Sequence, residues 1–184
     1  MISTFSIEDY LDDMKIAIEE LDRDILHSVK KIWIDDYQDI KNDNRIFIIG
    51  NGGSCAIAEH ISTDLNKRCR VKAHTLSNNS LLTALTNDYS QEEAIAQWLK
   101  INSLNQNDYL VAISSSGKSP NIITAINYAS KIGCKTFSIF GMDGEPIAKS
   151  QKDIFIKINS YNYGVVELTS EIVLHSIVEE MVLD

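Results

Sequence analysis

The feature that most constrains this chain is an apolar run that ends in a loop of small residues and then recurs. The run RIFII, residues 45–49, leads into GNGGS and a helical stretch, and YLVAI, residues 109–113, leads into SSSGKS and another helical stretch. Similar runs follow at residues 136–140 and 154–158. Uninterrupted apolar strands that alternate with helices predict a parallel sheet with both faces covered.

The remaining segments extend the same pattern. The segment VKAHTLSN predicts one more strand, and helices are expected near residues 80–86, from 120 to 132, briefly from Pro146, and from 165 to 182. The predicted fold class is α/β, with a single doubly wound parallel sheet, helices on both faces, and N-terminal helices ahead of it.

Two helices are predicted ahead of the sheet. Apolar residues at positions 7, 11, 14, 18, 21 and 25 alternate by four and three, the spacing of a packing seam along one helix. A second helix is expected at about residues 29–40. The seam can pack within the chain or against a second copy, and both alternatives stay open. We expect one domain over residues 1–184, with 1–42 as oligomerisation helices and 43–184 as the α/β body.

Composition excludes several classes of function. The formal net charge of −9 over 184 residues repels nucleic acid, and no stretch approaches the roughly 18 apolar residues of a membrane helix. The acidic N-terminus lacks the basic region and apolar block of a signal peptide. Three widely spaced cysteines, Cys55, Cys69 and Cys134, are typical of free thiols in a reducing compartment. We expect a cytoplasmic protein with neither nucleic-acid nor membrane partners.

The glycine loop fits neither common nucleotide-binding motif. Gly50, Asn51 and Gly52 begin the dinucleotide pattern GxGxxG, but Cys55 stands at its last position, and the same residue breaks the P-loop pattern. Glycines at a helix N-terminus let backbone amides approach an anion closely, and Ser54 is expected to cap this helix. The loop therefore predicts an anion site that does not serve a nucleotide.

A second loop repeats this arrangement with hydroxyl groups. Four serines surround Gly117, namely Ser114, Ser115, Ser116 and Ser119. Ser119 is expected to cap a helix that begins at Pro120. Ligands of open α/β sheets bind at the carboxyl ends of strands, so one small phosphorylated compound that bridges both loops is the simplest hypothesis. The alternative is a serine-rich turn that only caps its helix.

Two predicted helices carry polar groups that can bind a metal ion. His60 and Asp64 are four residues apart after the glycine loop, and Glu167, Glu171 and His175 repeat that spacing on the last helix. Carboxylates and histidines on an apolar helix need partners when they are buried. The set His60, Asp64, Glu167 and His175 suits a divalent ion such as zinc. An ordinary helix contact between His60 and Asp64 is the alternative.

Together these motifs resemble the sugar isomerase (SIS) domain, and more closely the phosphoheptose isomerases. The resemblance rests on GNGGSCAIAEH, Asn87-Asp88, ISSSGKSPN and the late His175, and it covers nearly the whole chain. It implies a homotetramer with active sites at subunit interfaces, and phosphate binding by the serine loop. The expected substrate-binding residues are Asn51, Gly52, Gly53, Ser54, Asn87, Asp88, Ser114, Ser115, Ser116 and Ser119.

The resemblance also implies one zinc ion per subunit, held in the family by two histidines, a glutamate and a glutamine. The histidines match His60 and His175, whereas Asp64 stands at the glutamate position and Glu167 at the glutamine position. In these isomerases a carboxylate moves a proton between C1 and C2, and a histidine serves the other acid–base step. The expected catalytic residues are therefore Asp64, Glu167 and His175, with either carboxylate as the base.

The implied activity is an aldose–ketose isomerisation of sedoheptulose 7-phosphate to D-glycero-D-manno-heptose 7-phosphate, which feeds lipopolysaccharide or capsule precursors. One alternative is a non-catalytic SIS protein, since a relative of this branch binds the bacterial replication initiator as a tetramer. That relative lacks the terminal histidine, so His175 favours an enzyme. The other alternative is an isomerase of a pentose or hexose phosphate, which the metal-type residues disfavour.

Overall fold

A parallel sheet lies at the centre of the molecule. The computed structural model describes residues 6–35, 43–145 and 153–182. Five strands pair in parallel in the order β2-β1-β3-β4-β5. They are β1 (Arg45–Ile49), β2 (Lys72–His74), β3 (Tyr109–Ser114), β4 (Lys135–Phe140) and β5 (Ile154–Lys157). The predicted α/β fold class with a single parallel sheet is confirmed.

The described helices cover both faces of this sheet. They are α1 (Ile7–Glu19), α2 (Arg23–Asp35), α3 (Gly53–Lys67), α4 (Asn79–Asp88), α5 (Ala94–Ile101), α6 (Pro120–Lys131) and α7 (Tyr163–Val182). Ile46 and Ile48 of β1 join a core with residues of α1, α2, α3 and α7. Phe47 and Ile49 point the other way and join a second core with α4, α5 and α6. Because strand side chains alternate, one apolar strand serves both cores.

The N-terminal region differs from the prediction of one helix through Ile25. α1 ends at Glu19, and the Asp22 carboxylate accepts hydrogen bonds from the backbone N–H groups of Asp24 and Ile25, at 3.0 and 3.1 Å. Asp22 therefore acts as an N-cap and starts a new helix, as short polar side chains favour. The second helix is thus earlier than predicted, and residues 36–42 lie outside the described part of the chain.

Some residues of the predicted seam pack on the core, and others are exposed. Met14, Leu21 and Ile25 pack against the core that includes α7. Ile7 and Leu11 are exposed, with 76% and 59% of their surface accessible. Intramolecular packing therefore accounts for part of the seam and leaves an apolar stripe on α1 uncovered in the single chain.

Several other element boundaries can be compared with the sequence. The predicted strand within residues 71–78 is β2, the predicted helix near 80–86 is α4, and α7 begins at Tyr163, two residues before the prediction. Helix α5 was not predicted. The short helix expected at Pro146 lies outside the described residues. In the described part of the chain, no helix is both long and apolar enough to cross a membrane.

The order of the strands sets the position of the two loops. β1 and β3 are neighbours, with Ile49 paired to Ala112. Their carboxyl ends therefore lie side by side, and the glycine loop and the serine loop that follow them are adjacent. This edge of the sheet is where ligands of open α/β folds bind.

Candidate active site

The glycine loop opens helix α3 with backbone groups alone. Gly52 is the N-cap, at a φ of 55°, and its carbonyl accepts hydrogen bonds from the N–H groups of Cys55 and Ala56. A positive φ of this kind favours glycine. The prediction that Ser54 caps the helix is wrong, because Ser54 is its second residue and is buried.

The serine loop turns tightly around Gly117. The N–H group of Gly117, at a φ of 62°, donates to the Ser114 carbonyl. Ser119 is the N-cap residue and Pro120 begins α6, as predicted, but the Ser119 side chain makes no capping hydrogen bond. Instead its Oγ lies 3.4 Å from Ser114 Oγ. Ser115 Oγ is buried and has no hydrogen-bond partner among the described residues.

The two loops enclose a cavity of about 90 Å³. Its lining joins predicted residues of both loops to the start of α7: Asn51, Ser54, Ile113, Ser114, Ser115, Ser116, Ser119, Tyr163 and Glu167. The Glu167 carboxylate lies against Gly53, where a Cβ would overlap it. The structure therefore brings the four predicted serines together with Asn51, Ser54 and Glu167.

A larger cavity of about 540 Å³ lies beside the first and also includes Asn51. The amide groups of Asn51 and Asn121 donate to each other's oxygens, at 2.9 and 2.8 Å. Asn87 lines this larger cavity and donates to Asp88 at 3.0 Å. Asn51 therefore borders both spaces, while the predicted serines line only the smaller one and Asn87 only the larger one. The other predicted substrate residues, Gly52, Gly53 and Asp88, line neither space.

Three of the four predicted metal ligands form a compact group. One ligand atom each of His60, Asp64 and His175 lie within 4.8 Å of one another. Asp64 Oδ2 is 3.8 Å from His60 Nε2 and 3.7 Å from His175 Nδ1. The imidazole rings meet edge to face, with centroids 4.9 Å apart. Two imidazole nitrogens and one carboxylate oxygen are donors that zinc accepts, so the residues present fit that ion.

Glu167 does not join this group. Its carboxylate faces Gly53 and the serine cavity instead. Glu171, one turn further along α7, contacts both imidazoles: its Oε1 is 3.2 Å from His60 Nδ1 and 3.8 Å from His175 Nε2. From the sequence no role was predicted for Glu171, although its spacing of four residues from His175 was a signal.

Arg68 is a further polar residue at the site that sequence analysis missed. Its guanidinium lies 3.4 Å from Asp64 Oδ2 and 2.7 Å from Glu179 Oε1. The hydrogen bond to Glu179 raises the pKa of Arg68. Its position four residues after Asp64 was again the available signal. Arg68 thus contacts the same carboxylate oxygen as the two histidines.

The three cysteines are free thiols, as expected. Burial raises the pKa of the Cys134 thiol to about 12. Cys55 borders the larger cavity, and burial raises its pKa too. None of the three lies in the group of histidines and aspartate.

Comparisons with known proteins agree with this fold. The SIS domain family model matches residues 9–141. Among curated relatives, the probable phosphoheptose isomerase of Thermoplasma volcanium is 30% identical over 93% of this chain and 88% of its own length. The phosphoheptose isomerase of Helicobacter pylori strain P12 is 34% identical over 71% of this chain and 69% of its length. That of strain HPAG1 is 39% identical, and the match spans 57% of each protein.

Two solved structures share the fold over almost the whole chain. The phosphoheptose isomerase of Francisella tularensis superimposes with a TM-score of 0.86 at 22% identity, covering 100% of both chains. That of Neisseria gonorrhoeae gives 0.84 at 24% identity, covering 94% of both. At these identities the structural likeness concerns the fold alone. The chain belongs to the SIS-domain family and, through its curated relatives, to the phosphoheptose isomerase branch of that family, as its motifs indicated.

Proposed function

We propose that this chain is an aldose–ketose isomerase that converts sedoheptulose 7-phosphate to D-glycero-D-manno-heptose 7-phosphate, a precursor of lipopolysaccharide or capsule. The proposal rests on the cavity at the serine loop. Its lining includes the buried hydroxyl of Ser115, which has no hydrogen-bond partner among the described residues. A buried hydroxyl without a hydrogen bond lowers the stability of the folded protein by about 1–3 kcal/mol, and a hydrogen bond to a phosphate oxygen in the cavity would remove that penalty. The names of the curated relatives support the same substrate class.

The distance between Glu167 and His175 along α7 supports a substrate with a seven-carbon chain. Glu167 borders the serine cavity, and His175 follows eight residues later, about 12 Å along the helix axis. An extended heptose phosphate spans about 10 Å from phosphorus to C1, given single bonds of roughly 1.5 Å. With its phosphate on the serines, such a sugar has the length needed to bring C1 and C2 near the level of His175.

The residues of the histidine group suit the C1–C2 end of this sugar. His60, Asp64 and His175 would hold a zinc ion, which supplies Lewis-acid polarisation of the substrate carbonyl. Asp64 is one methylene shorter than the glutamate of the family, but its Oδ2 contacts both imidazoles and Arg68. These contacts orient the carboxylate, which lowers the cost of its shorter reach.

We assign the proton transfer between C1 and C2 to Asp64, and the transfer at the substrate oxygens to His175. Glu167 borders the serine cavity beside Tyr163 and accepts hydrogen bonds from sugar hydroxyls in this proposal. This assignment chooses between the two carboxylates that the sequence left open. It leaves Glu167 outside the metal ligands, in contrast to the glutamine of the family.

The proposal includes a cytoplasmic homotetramer with active sites between subunits. Exposed apolar residues on two helices support contacts between copies: Ile7 and Leu11 on α1, and Leu168 and Ile172 on α7. Leu168 and Ile172 lie on the same helix as Glu167, Glu171 and His175. A second copy packed on this helix would therefore lie close to the site.

Proton NMR of the zinc-loaded protein with sedoheptulose 7-phosphate in heavy water tests the activity. We expect formation of a heptose 7-phosphate with deuterium at C2, because the transferred proton exchanges with solvent through the enediol. Neither conversion nor exchange, in protein shown to be folded and zinc-bound, would contradict the activity. Ribose 5-phosphate and glucose 6-phosphate, run in parallel, would reveal a different sugar specificity.

The same assay separates the two carboxylates. In protein shown to be zinc-bound, Asp64→Asn should reduce deuterium entry at C2 by at least about 100-fold, on the order expected for loss of a general base. Glu167→Gln should mainly raise KM and leave exchange measurable at saturating substrate. If Glu167→Gln abolishes exchange and Asp64→Asn does not, the two roles are reversed.

A further inference from the structure

We infer that Glu171 is a positioning residue that orients both histidines of the proposed metal site. This inference rests on the proposed function, in which His60, Asp64 and His175 hold a zinc ion. Glu171 lies on α7 one turn before His175, with 28% of its side chain exposed, and its Oε1 faces both imidazoles. The ligand set that the resemblance implies, two histidines, a glutamate and a glutamine, does not include Glu171.

The two nitrogens of each imidazole face different carboxylates. His60 Nε2 and His175 Nδ1 face the same oxygen of Asp64, at 3.8 and 3.7 Å. The opposite nitrogens, His60 Nδ1 and His175 Nε2, face a single oxygen of Glu171, at 3.2 and 3.8 Å. Asp64 and Glu171 therefore lie on opposite edges of the histidine pair.

This division matches the needs of a metal-binding histidine. When one nitrogen of an imidazole binds a metal, the other carries a proton and usually donates it to a carboxylate or carbonyl. If His60 Nε2 and His175 Nδ1 bind the ion beside Asp64, the remaining nitrogens, His60 Nδ1 and His175 Nε2, are the ones that lie nearest Glu171. One carboxylate then fixes the tautomer and the ring orientation of two ligands, and it raises the basicity of both.

A simple surface ion pair accounts for this geometry less well. Exposed pairs between residues four apart on a helix contribute only about 0.3–0.5 kcal/mol, and they require no particular nitrogen. The closer contact of Glu171 is with His60, which lies on a different helix, α3. The carboxylate thus joins two helices at the point where both supply a donor to the metal group.

Zinc affinity measured by competition with a chromophoric chelator tests this role without any assay of activity. Glu171→Leu should weaken zinc binding by about 10–100-fold, the usual effect of losing such a hydrogen-bond acceptor. Glu171→Gln retains an oxygen that can accept one N–H group, so it should recover part of that loss. Glu59→Gln is the matched control, because it removes the same charge next to His60 from an exposed position, and it should leave affinity within about twofold.

Long-range proton–nitrogen NMR of the imidazoles provides the readout that a purely structural role would not change. In the zinc-loaded wild type we expect protonated Nδ1 on His60 and protonated Nε2 on His175. In metal-free Glu171→Leu, at a pH where the histidines are neutral, both rings should lose this tautomer preference while the wild type keeps it. Circular dichroism would show that each variant is folded.

The outcomes separate this inference from the proposed metal site. If the wild type binds no zinc at His60 and His175, the metal site itself is wrong. If the wild type binds zinc and Glu171→Leu matches it in affinity and tautomers, only the role of Glu171 is overturned. A reduced coordination number in Glu171→Leu, read from X-ray absorption, would also overturn it, because Glu171 would then be a direct ligand.

Discussion

At the scale of single residues, the first residue of α3 has a specific task beside the serine cavity. Gly53 lies against the Glu167 carboxylate, and a Cβ there would overlap its oxygens. The overlapping group is the end of a flexible side chain, so it can rotate away at moderate cost. The absence of a side chain at Gly53 therefore decides where the Glu167 carboxylate lies.

Replacement of Gly53 by alanine should separate stability from substrate binding. Alanine favours a helix over glycine by roughly 1 kcal/mol, which offsets the cost of moving Glu167, so urea unfolding should change little. The displaced carboxylate should raise KM about tenfold, on the order of one hydrogen bond to a charged group. In a Glu167→Ala background, Gly53→Ala should change KM less than twofold. Equal effects in both backgrounds would mean that the methyl group obstructs the sugar itself.

Two adjacent serines should respond differently to the loss of their hydroxyls. Ser115 Oγ is buried without a partner in the described chain, so Ser115→Ala should not lower the free energy of unfolding. Ser116 Oγ accepts a hydrogen bond from the Lys118 N–H group at 3.2 Å, so Ser116→Ala should cost about 0.5–1.5 kcal/mol. Calorimetry with inorganic phosphate should show weaker binding for Ser115→Ala. Unchanged phosphate affinity there would leave the buried hydroxyl unexplained.

Residue types and spacing predicted much of this site, but not how its side chains turn. The spacing of four placed Glu167, Glu171 and His175 on one face of α7, and His60 with Asp64 on one face of α3. Which carboxylate meets the histidines depends on how α3 and α7 cross, and that angle is set by packing between distant residues. The sequence therefore indicated the right helix faces and could not choose between Glu167 and Glu171.

At the scale of elements, an ion pair with a buried carboxylate joins the starts of two central strands. Asp108 is 1% exposed and precedes β3, and Arg45 begins β1. Asp108 accepts hydrogen bonds from the Arg45 backbone at 3.0 Å and from its guanidinium at 2.6 Å. The same guanidinium donates to the carbonyls of Asn102 and Ser103, at 2.7 and 2.8 Å, just after α5. The ion pair between Arg45 and Asp108 thus connects β1, β3 and the end of α5.

Asp108→Ala should destabilise the protein by about 3–5 kcal/mol, because it leaves the Arg45 guanidinium without its buried partner. Urea unfolding at neutral pH measures this loss. Lys15→Ala is the control, since Lys15 and Glu19 form an exposed pair at 4.0 Å on α1, and its effect should stay within about 0.5 kcal/mol. Similar effects for both variants would contradict a structural role for the pair of Arg45 and Asp108.

The strands could be predicted better than the helices, for a physical reason. A strand buried on both faces reads as an unbroken apolar run, and the central strands β1 and β3 have this pattern. β4 is buried although Thr136 and Ser138 interrupt its apolar residues, and the edge strand β5 is apolar but only partly buried. Helix α5 is nearly as apolar as these strands, with five buried residues. Its N-cap residue, Glu93, makes no side-chain capping hydrogen bond, so the sequence lacks the usual signal of a helix start. The break between α1 and α2 depends on Asp22, whose carboxylate caps α2. The regular spacing of apolar residues continues through this break, so that spacing alone predicted a single helix.

At the scale of the whole molecule, apolar surface remains that the chain does not cover itself. Ile7, Leu11 and Ile18 lie on one side of α1, and all three are exposed. Their spacing of four and seven places them along one stripe. Exposed apolar stripes of this kind mark contacts with other proteins, and the proposed tetramer supplies a second copy of the chain as that partner.

Leu11→Glu should therefore weaken the proposed assembly, because it places a charge at the centre of the stripe. Light scattering coupled to gel filtration should show a tetramer for the wild type and smaller species for the variant. Ile16→Glu is the matched control, since Ile16 is 48% exposed on another side of α1, and this variant should remain a tetramer. Circular dichroism would show that both variants keep their helices.

The same pair of variants links assembly to the site. If the active sites lie between subunits, the dissociated Leu11→Glu protein should lose isomerase activity, although Leu11 is not one of the residues assigned to substrate or zinc. Raising the protein concentration should restore both the assembly and the activity together, since association follows mass action. Dissociation by Ile16→Glu and not by Leu11→Glu would place the interface on the other side of α1. Full activity in dissociated protein would show that one chain contains the complete site.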